Sequence, residues 1–201
     1  MTDALWIAFA FLCGSLPLSY WIGKVFLHVD IRDYGDGNPG GANVWKAGGR
    51  RWGITAILAD AFKGLIPVAL AHFWGGVAGW PLAAVGMAPV LGHAYTPFLG
   101  FNGGKALAVT FGVWTGLAPW QAPVVLGLAF LVWLKTLRVE GWAVLAGMAT
   151  LLVYLLLFDR DLVLLAVWVV NTAVFVIKHR ADFRRPPDLA NGWLGRFFSK
   201  S

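Results

Sequence analysis

The sequence predicts an all-α integral membrane protein of seven transmembrane helices, and three observations carry that prediction. Hydrophobic residues make up 59% of the 201 and charged residues 13%, with a mean hydropathy of +0.69, a balance that soluble globular domains do not show. The apolar residues fall into seven runs, most of them near the ~20 residues a helix needs to cross the hydrocarbon core. Lys and Arg gather in alternate connections between those runs, the asymmetry that orients a multi-pass chain.

In order, the spans are expected at 4–23, 52–73, 76–93, 105–120, 121–135, 141–158 and 161–178, within a single integral-membrane domain covering 1–201. The fourth and fifth are short and meet around Pro119 and Pro123, so a tilted pair and a shallow hairpin both fit. With the N-terminus outside, Lys24, Arg32, Lys46, Arg50, Arg51, Lys105, Lys135, Arg138 and the basic tail 179–201 with Lys178 face the cytoplasm. Only Arg160 faces outward, and Lys63 lies inside a span. The net charge of +6 is therefore a topology signal first and a hint of anionic partners second; no nucleic-acid partner is expected. Trp52, Trp74, Trp80, Trp120 and Trp142 fall near span ends, where an indole suits the interface. Met1–Asp3 lacks the positive start of a cleavable signal, so the first run is expected to remain as a span.

Several chemistries are excluded or disfavoured. A lone cysteine, Cys13, rules out an internal disulfide framework. The four histidines show no metal-ligand spacing such as H-E-x-x-H, and no nucleophile elbow is present. No metal and no cofactor are expected, and any enzyme here works by positioning and electrostatics.

Between the first two spans lies 34–49, YGDGNPGGANVWKAGG. Its glycine density argues against a helix, and missing side chains let backbone N–H groups approach a ligand. Gly35, Gly37, Asn38, Gly40, Asn43 and Lys46 suit a loop that wraps a phosphate. A flexible surface linker is the competing reading. In the first span Pro17 breaks the helical ladder beside Ser15 and Ser19, which reads as a kink whose freed carbonyl needs a partner. In the second, Asp60 and Lys63 share one helical face about 12 Å from Trp52. A structural ion pair and the polar floor of a site both fit that pair.

The third constellation is GHAYTPFLGFNGGKALA, Gly92 to Ala108. A turn over 100–105 with Gly103, Gly104 and Lys105 is expected to open a helix, and a helix N-terminus favours an anion. Lys105 there works against the helix dipole, so a negative partner is expected. His93 could donate to an oxyanion, act as a base or satisfy a carbonyl. The last span ends in Lys178-His179-Arg180, placing His179 at the membrane depth of the other loops. Arg184 and Arg185 read as a topology anchor, and Asn171 and Thr172 as interhelical hydrogen-bonding groups.

Taken together, these motifs resemble those of the bacterial membrane glycerol-3-phosphate acyltransferases that use acyl phosphate as donor. The match runs through Gly14–Lys24, the glycine loop Gly35–Val44, the D-x-x-K-G pattern at Asp60–Gly64, the block Gly92–Lys105 and the K-H-R end at Lys178–Arg180. The resemblance implies acyl transfer to glycerol 3-phosphate at the cytoplasmic surface of the inner membrane, giving lysophosphatidate and phosphate. It implies Lys105, His93 and His179 as catalytic groups, and the enzyme that supplies acyl phosphate as a partner beside the lipid bilayer. It also implies that the acceptor's own phosphate helps take the proton.

This chain departs from the family pattern at four positions of those motifs. Asp36 stands for a serine, Ala42 for a threonine, Lys46 for an arginine and Asp182 for an asparagine. The loop K-T-L-R-V-E-G-W also matches the family poorly. Added carboxylates beside a phosphate site repel it, and Lys for Arg loses a bidentate grip. Asp36 could turn outward, pair with Lys46, or mark an altered acceptor.

Overall fold

The computed structural model describes residues 1–189, so the tail beyond Leu189, with Arg196 and Lys200, lies outside the described residues. Eight α-helices follow in order: α1 Asp3–Ser15, α2 Leu18–Ile22, α3 Gly41–Ala69, α4 Gly79–Ala94, α5 Leu107–Leu117, α6 Gln121–Thr136, α7 Glu140–Tyr154 and α8 Leu162–Lys178. Among the described residues no strand forms beyond one isolated bridge, Leu137 with Leu189. Short π-helical turns extend α2, α3 and α7. Four segments are then long and apolar enough to cross a membrane: Asp3–Leu27, Gly41–Trp74, Gly79–Leu99 and Glu140–Asp159. The helices at Leu107–Leu117, Gln121–Thr136 and Leu162–Lys178 are equally apolar but shorter. Large apolar side chains such as Leu12, Phe62, Leu128, Val132 and Leu157 point outward, as lipid-facing surfaces require.

Helices approach closely where side chains are small. Gly14 of α1 lies against Pro89 of α4, and Gly92 of α4 against Phe11 and Ser15 of α1. On α5, Gly112 and Gly116 are four residues apart and rest on Ala61, Leu65 and Val68 of α3, the small-xxx-small geometry of membrane helix pairs. Behind them Val85, Trp114, Met148, Leu151, Val167 and Phe175 form the buried core of α4, α5, α7 and α8. The break at Pro17 separates α1 from α2. Its freed carbonyls find partners on other segments: Lys63 Nζ donates to Leu16 O at 2.6 Å, and Thr96 Oγ1 donates to Ser15 O.

Two expectations need correction. The glycine-rich stretch is not all loop: α3 already begins at Gly41 and runs through Gly49, where φ of 74° puts a sharp bend between two helical halves. Packing overrides the weak propensity here. Val44 is buried against Ile22, Ile31 and Ala56, Gly41 sits on Ile57, and Gly53 accepts the Trp45 side chain. Asn171 and Thr172 were expected to bond across helices, yet both are buried without a hydrogen-bond partner.

Candidate active site

A cavity of about 430 Å³ opens between α3, α5 and α6. Its polar end is lined by Asp36, Asn38, Gly40, Asn43, Asp60, His93, Lys105 and Glu140, and its apolar end by Ile57, Leu58, Leu107, Phe111, Phe130 and Leu134. Of the residues singled out from the sequence, Asp36, Asn38, Gly40, Ala42, Asn43, Asp60, His93 and Lys105 meet in this cavity, whereas Gly103, Gly104 and His179 do not line it. Gly35 and Gly37, both at positive φ, form the turn beneath Asp36. Lys46 lies over Gly35 and is exposed, outside the cavity lining.

The loop is held by its own amides. Asn43 Nδ2 donates to Asn38 O at 2.8 Å and to Asp36 Oδ1 at 3.0 Å, and Asn38 N–H donates to the same oxygen at 3.2 Å. The other Asp36 oxygen is 2.9 Å from Lys105 Nζ. Lys105 also lies 3.2 Å from Glu140 and 3.8 Å from Asp182. Three connections far apart in sequence therefore converge on one ammonium, whose side chain is 19% exposed. The anion expected beside Lys105 is supplied by the protein itself, and Asp36 pairs with Lys105 rather than with Lys46.

Charges respond accordingly. Burial opposes ionisation of Asp36, but the Lys105 ammonium and the Asn38 and Asn43 hydrogen bonds outweigh it and hold the carboxyl below its ordinary range. Burial likewise opposes the charged form of Lys105. Glu140 and Asp36 overcome it and raise the ammonium above the usual lysine value.

Lys105 does not start a helix as expected. It lies two residues before α5, and Ala106 between them has φ of 66°, a left-handed conformation that is strained for a residue with a Cβ. The amides of Gly103 and Gly104 are already spent, donating to Ala94 O and His93 O at 3.1 Å each. They line a small adjoining hollow with His93, Asp60 and Lys63, so their backbone N–H groups are not free for a phosphate. A side chain at Gly104 would strike the His93 imidazole; these glycines position His93.

Asp60 and Lys63 form the buried pair expected from their spacing, 3.0 Å apart and 2% and 6% exposed. Ser19 Oγ donates to Asp60 Oδ2 at 2.6 Å. Asp60 also lines the cavity, whereas Lys63 faces only the small adjoining hollow. His179 is 1% exposed and lies outside the cavity lining, its Nδ1 2.7 Å from Asp182 Oδ2, the carboxylate 3.8 Å from Lys105. Asp182 in turn accepts from Gly141 N–H at 3.1 Å. Although no metal spacing exists in the sequence, folding brings Glu140, His179 and Asp182 within 4.8 Å of one another. Glu140 is the site residue that sequence reasoning missed. Its one signal was the poorly matching loop in which it sits.

Comparison with known proteins points to a single family. The family model described as glycerol-3-phosphate acyltransferase matches residues 4–187. Glycerol-3-phosphate acyltransferase 1 of Thermotoga maritima is 35% identical over 200 residues, covering 92% of this chain and 98% of that protein. The glycerol-3-phosphate acyltransferase of Geobacter sulfurreducens is 35% identical over 197 residues, with 98% of each chain covered. Among solved structures, the glycerol 3-phosphate form of PlsY, an integral membrane glycerol 3-phosphate acyltransferase, superposes with a TM-score of 0.84 at 30% identity over 98% of both chains. Its lysophosphatidic acid form gives 0.81 at 27% identity, again over 98% of both. The chain belongs to the glycerol-3-phosphate acyltransferase family.

Proposed function

We propose that this protein transfers a fatty acyl group from acyl phosphate to glycerol 3-phosphate, releasing phosphate and forming 1-acyl-glycerol 3-phosphate. The observation that carries the reading is the two-faced cavity. A polar end around Lys105, Asn38, Asn43 and His93 is continuous with an apolar cleft between α3, α5 and α6, which suits a donor with a phosphate head and an alkyl chain. In the reaction the acceptor hydroxyl oxygen attacks the acyl carbon and the bond to the phosphate oxygen breaks. The proton passes to a phosphate oxygen, the acceptor's own in this reading. Lys105 stabilises the developing oxyanion and leaving phosphate, and exchanges its carboxylate partners for them. His93 donates from the cavity wall, His179 acts through Asp182, the carboxylate it bonds beside Lys105, and the Asn38 side chain with the unpartnered Asn43 Oδ1 orients the acceptor.

The seven apolar segments are read as seven spans in a bacterial inner membrane, N-terminus outside, with the site on the cytoplasmic side. Support comes from the lysine and arginine distribution and from the meeting of Asp36, Lys105, Glu140 and Asp182 at one end of the bundle. Purified protein given acyl phosphate and radiolabelled glycerol 3-phosphate tests the reading: labelled lysophosphatidate and phosphate should appear in equal amounts. No product from protein shown to be folded by cooperative thermal unfolding would refute it.

One observation favours a second reading, acyl transfer to a different acceptor. Three carboxylates surround a single ammonium, and a dianionic acceptor must enter against them. A panel of neutral, cationic and phosphorylated alcohols assayed with one acyl phosphate separates the two, since each names a different preferred acceptor.

A further inference from the structure

The polar end of the cavity is accounted for by the reaction above, whereas the shape of its apolar end is not. On α5 the lining runs through Leu107, Ala108 and Phe111, and on α6 through Leu134, Phe130 and Gly127, ending at Phe111 and Gly127. Leu134 to Gly127 spans about 10 Å of helix axis. At that depth the two helices of the hairpin close on each other. A Cβ at Gly127 would lie 3.4 Å from Phe111 Cε2, so the ring edge faces bare backbone. Phe130, one turn nearer the polar end, packs against Gly147 of α7, which stops this wall from giving way.

We propose that Phe111 and Gly127 form the floor that gauges acyl-chain length. The inference rests on acyl phosphate being the donor and assigns the residues that select among donors. A chain whose terminal methyl reaches the Phe111 ring fills the cleft. Each further methylene must bend out between α3 and α6 into lipid as apolar as the cleft, so it loses its packing against the ring rather than its burial, about twofold in kcat/KM per methylene. Glycine at 127 leaves the ring room, and a larger residue there raises the floor.

The test measures kcat/KM for saturated acyl phosphates of graded length with wild type, Phe111→Ala, Gly127→Ala and Gly127→Leu. Gly127→Leu should cut the long-to-short ratio about fourfold, the effect of excluding about two methylenes from that packing. Gly127→Ala should move it the same way by less, and Phe111→Ala should move it towards longer chains. Should Gly127→Leu fail to accumulate, Phe111→Ala still decides, since it only removes bulk. Profiles that keep their shape, or losses equal at every length, overturn the gauge alone. Wild-type protein that turns over no acyl phosphate of any length overturns the donor reading with it.

Discussion

Replacing Asp36 with serine should strengthen acceptor binding. Asp36 Oδ2 is 2.9 Å from Lys105 Nζ, with side chains 44% and 19% exposed. Two unit charges at that separation attract by about 6 kcal/mol at an effective dielectric of 20, but solvent reaches this pair, and such pairs are worth about 1 kcal/mol in practice. A phosphate entering the cavity must displace that carboxylate and then sit beside it. Removing Asp36 takes away both the competition and the repulsion, together about 1.4 kcal/mol, or tenfold in affinity. The loop should hold its shape, because Asn43 Nδ2 keeps Asn38 O as an acceptor at 2.8 Å. Initial rates in membranes should therefore show the KM for glycerol 3-phosphate falling about tenfold with kcat unchanged or higher. The gain should shrink as salt rises, since the effect is electrostatic and partly exposed. Complete loss of turnover, or a higher KM, would show that Asp36 binds the acceptor directly and would refute this reasoning.

Other outcomes follow from the same geometry. Lys63→Met leaves the buried Asp60 carboxylate without its partner and should destabilise the protein by about 3–5 kcal/mol; adding Asp60→Asn should recover most of the lost thermal stability in detergent. Gly103→Ala drives a Cβ into the His93 carbonyl, so turnover should fall at least about tenfold while the protein still accumulates, measured as kcat per folded enzyme. The Asp36–Lys105 pair should contribute constant stability around neutral pH. Its depressed carboxyl keeps that contribution above the ordinary carboxylate range and loses it only on stronger acidification, whereas the raised Lys105 ammonium keeps it until pH passes beyond the ordinary lysine range. Acidification should therefore lower the thermal midpoint more in wild type than in Asp36→Ser, the gap between them closing as Asp36 is protonated. Equal acid sensitivity would count against the pair.

The apolar helices were legible because burial in lipid leaves its mark over whole windows of sequence. The turn at 35–40 was legible too, since glycine and asparagine chemistry is local. Residues 41–48 were not, because their helix is held by distant partners: Val44 rests on Ile22 and Ile31. The Lys105 cluster shows the same division. A negative partner was expected from the lysine's position alone, yet Glu140, 35 residues further on, is brought there by the α6–α7 hairpin. Likewise, Gly103 and Gly104 look like free phosphate donors until the fold hands their amides to Ala94 and His93.

Convergence of separate turns on Lys105, making it the group that grips phosphate during acyl transfer, is tested most directly by Lys105→Ala. Purified wild type and variant are assayed with acyl phosphate and glycerol 3-phosphate, after matched folding is established by thermal unfolding. Loss of the ammonium should cut lysophosphatidate formation about a thousandfold, with acyl phosphate left unconsumed. A variant that forms lysophosphatidate at the wild-type rate would place the chemistry elsewhere in the bundle.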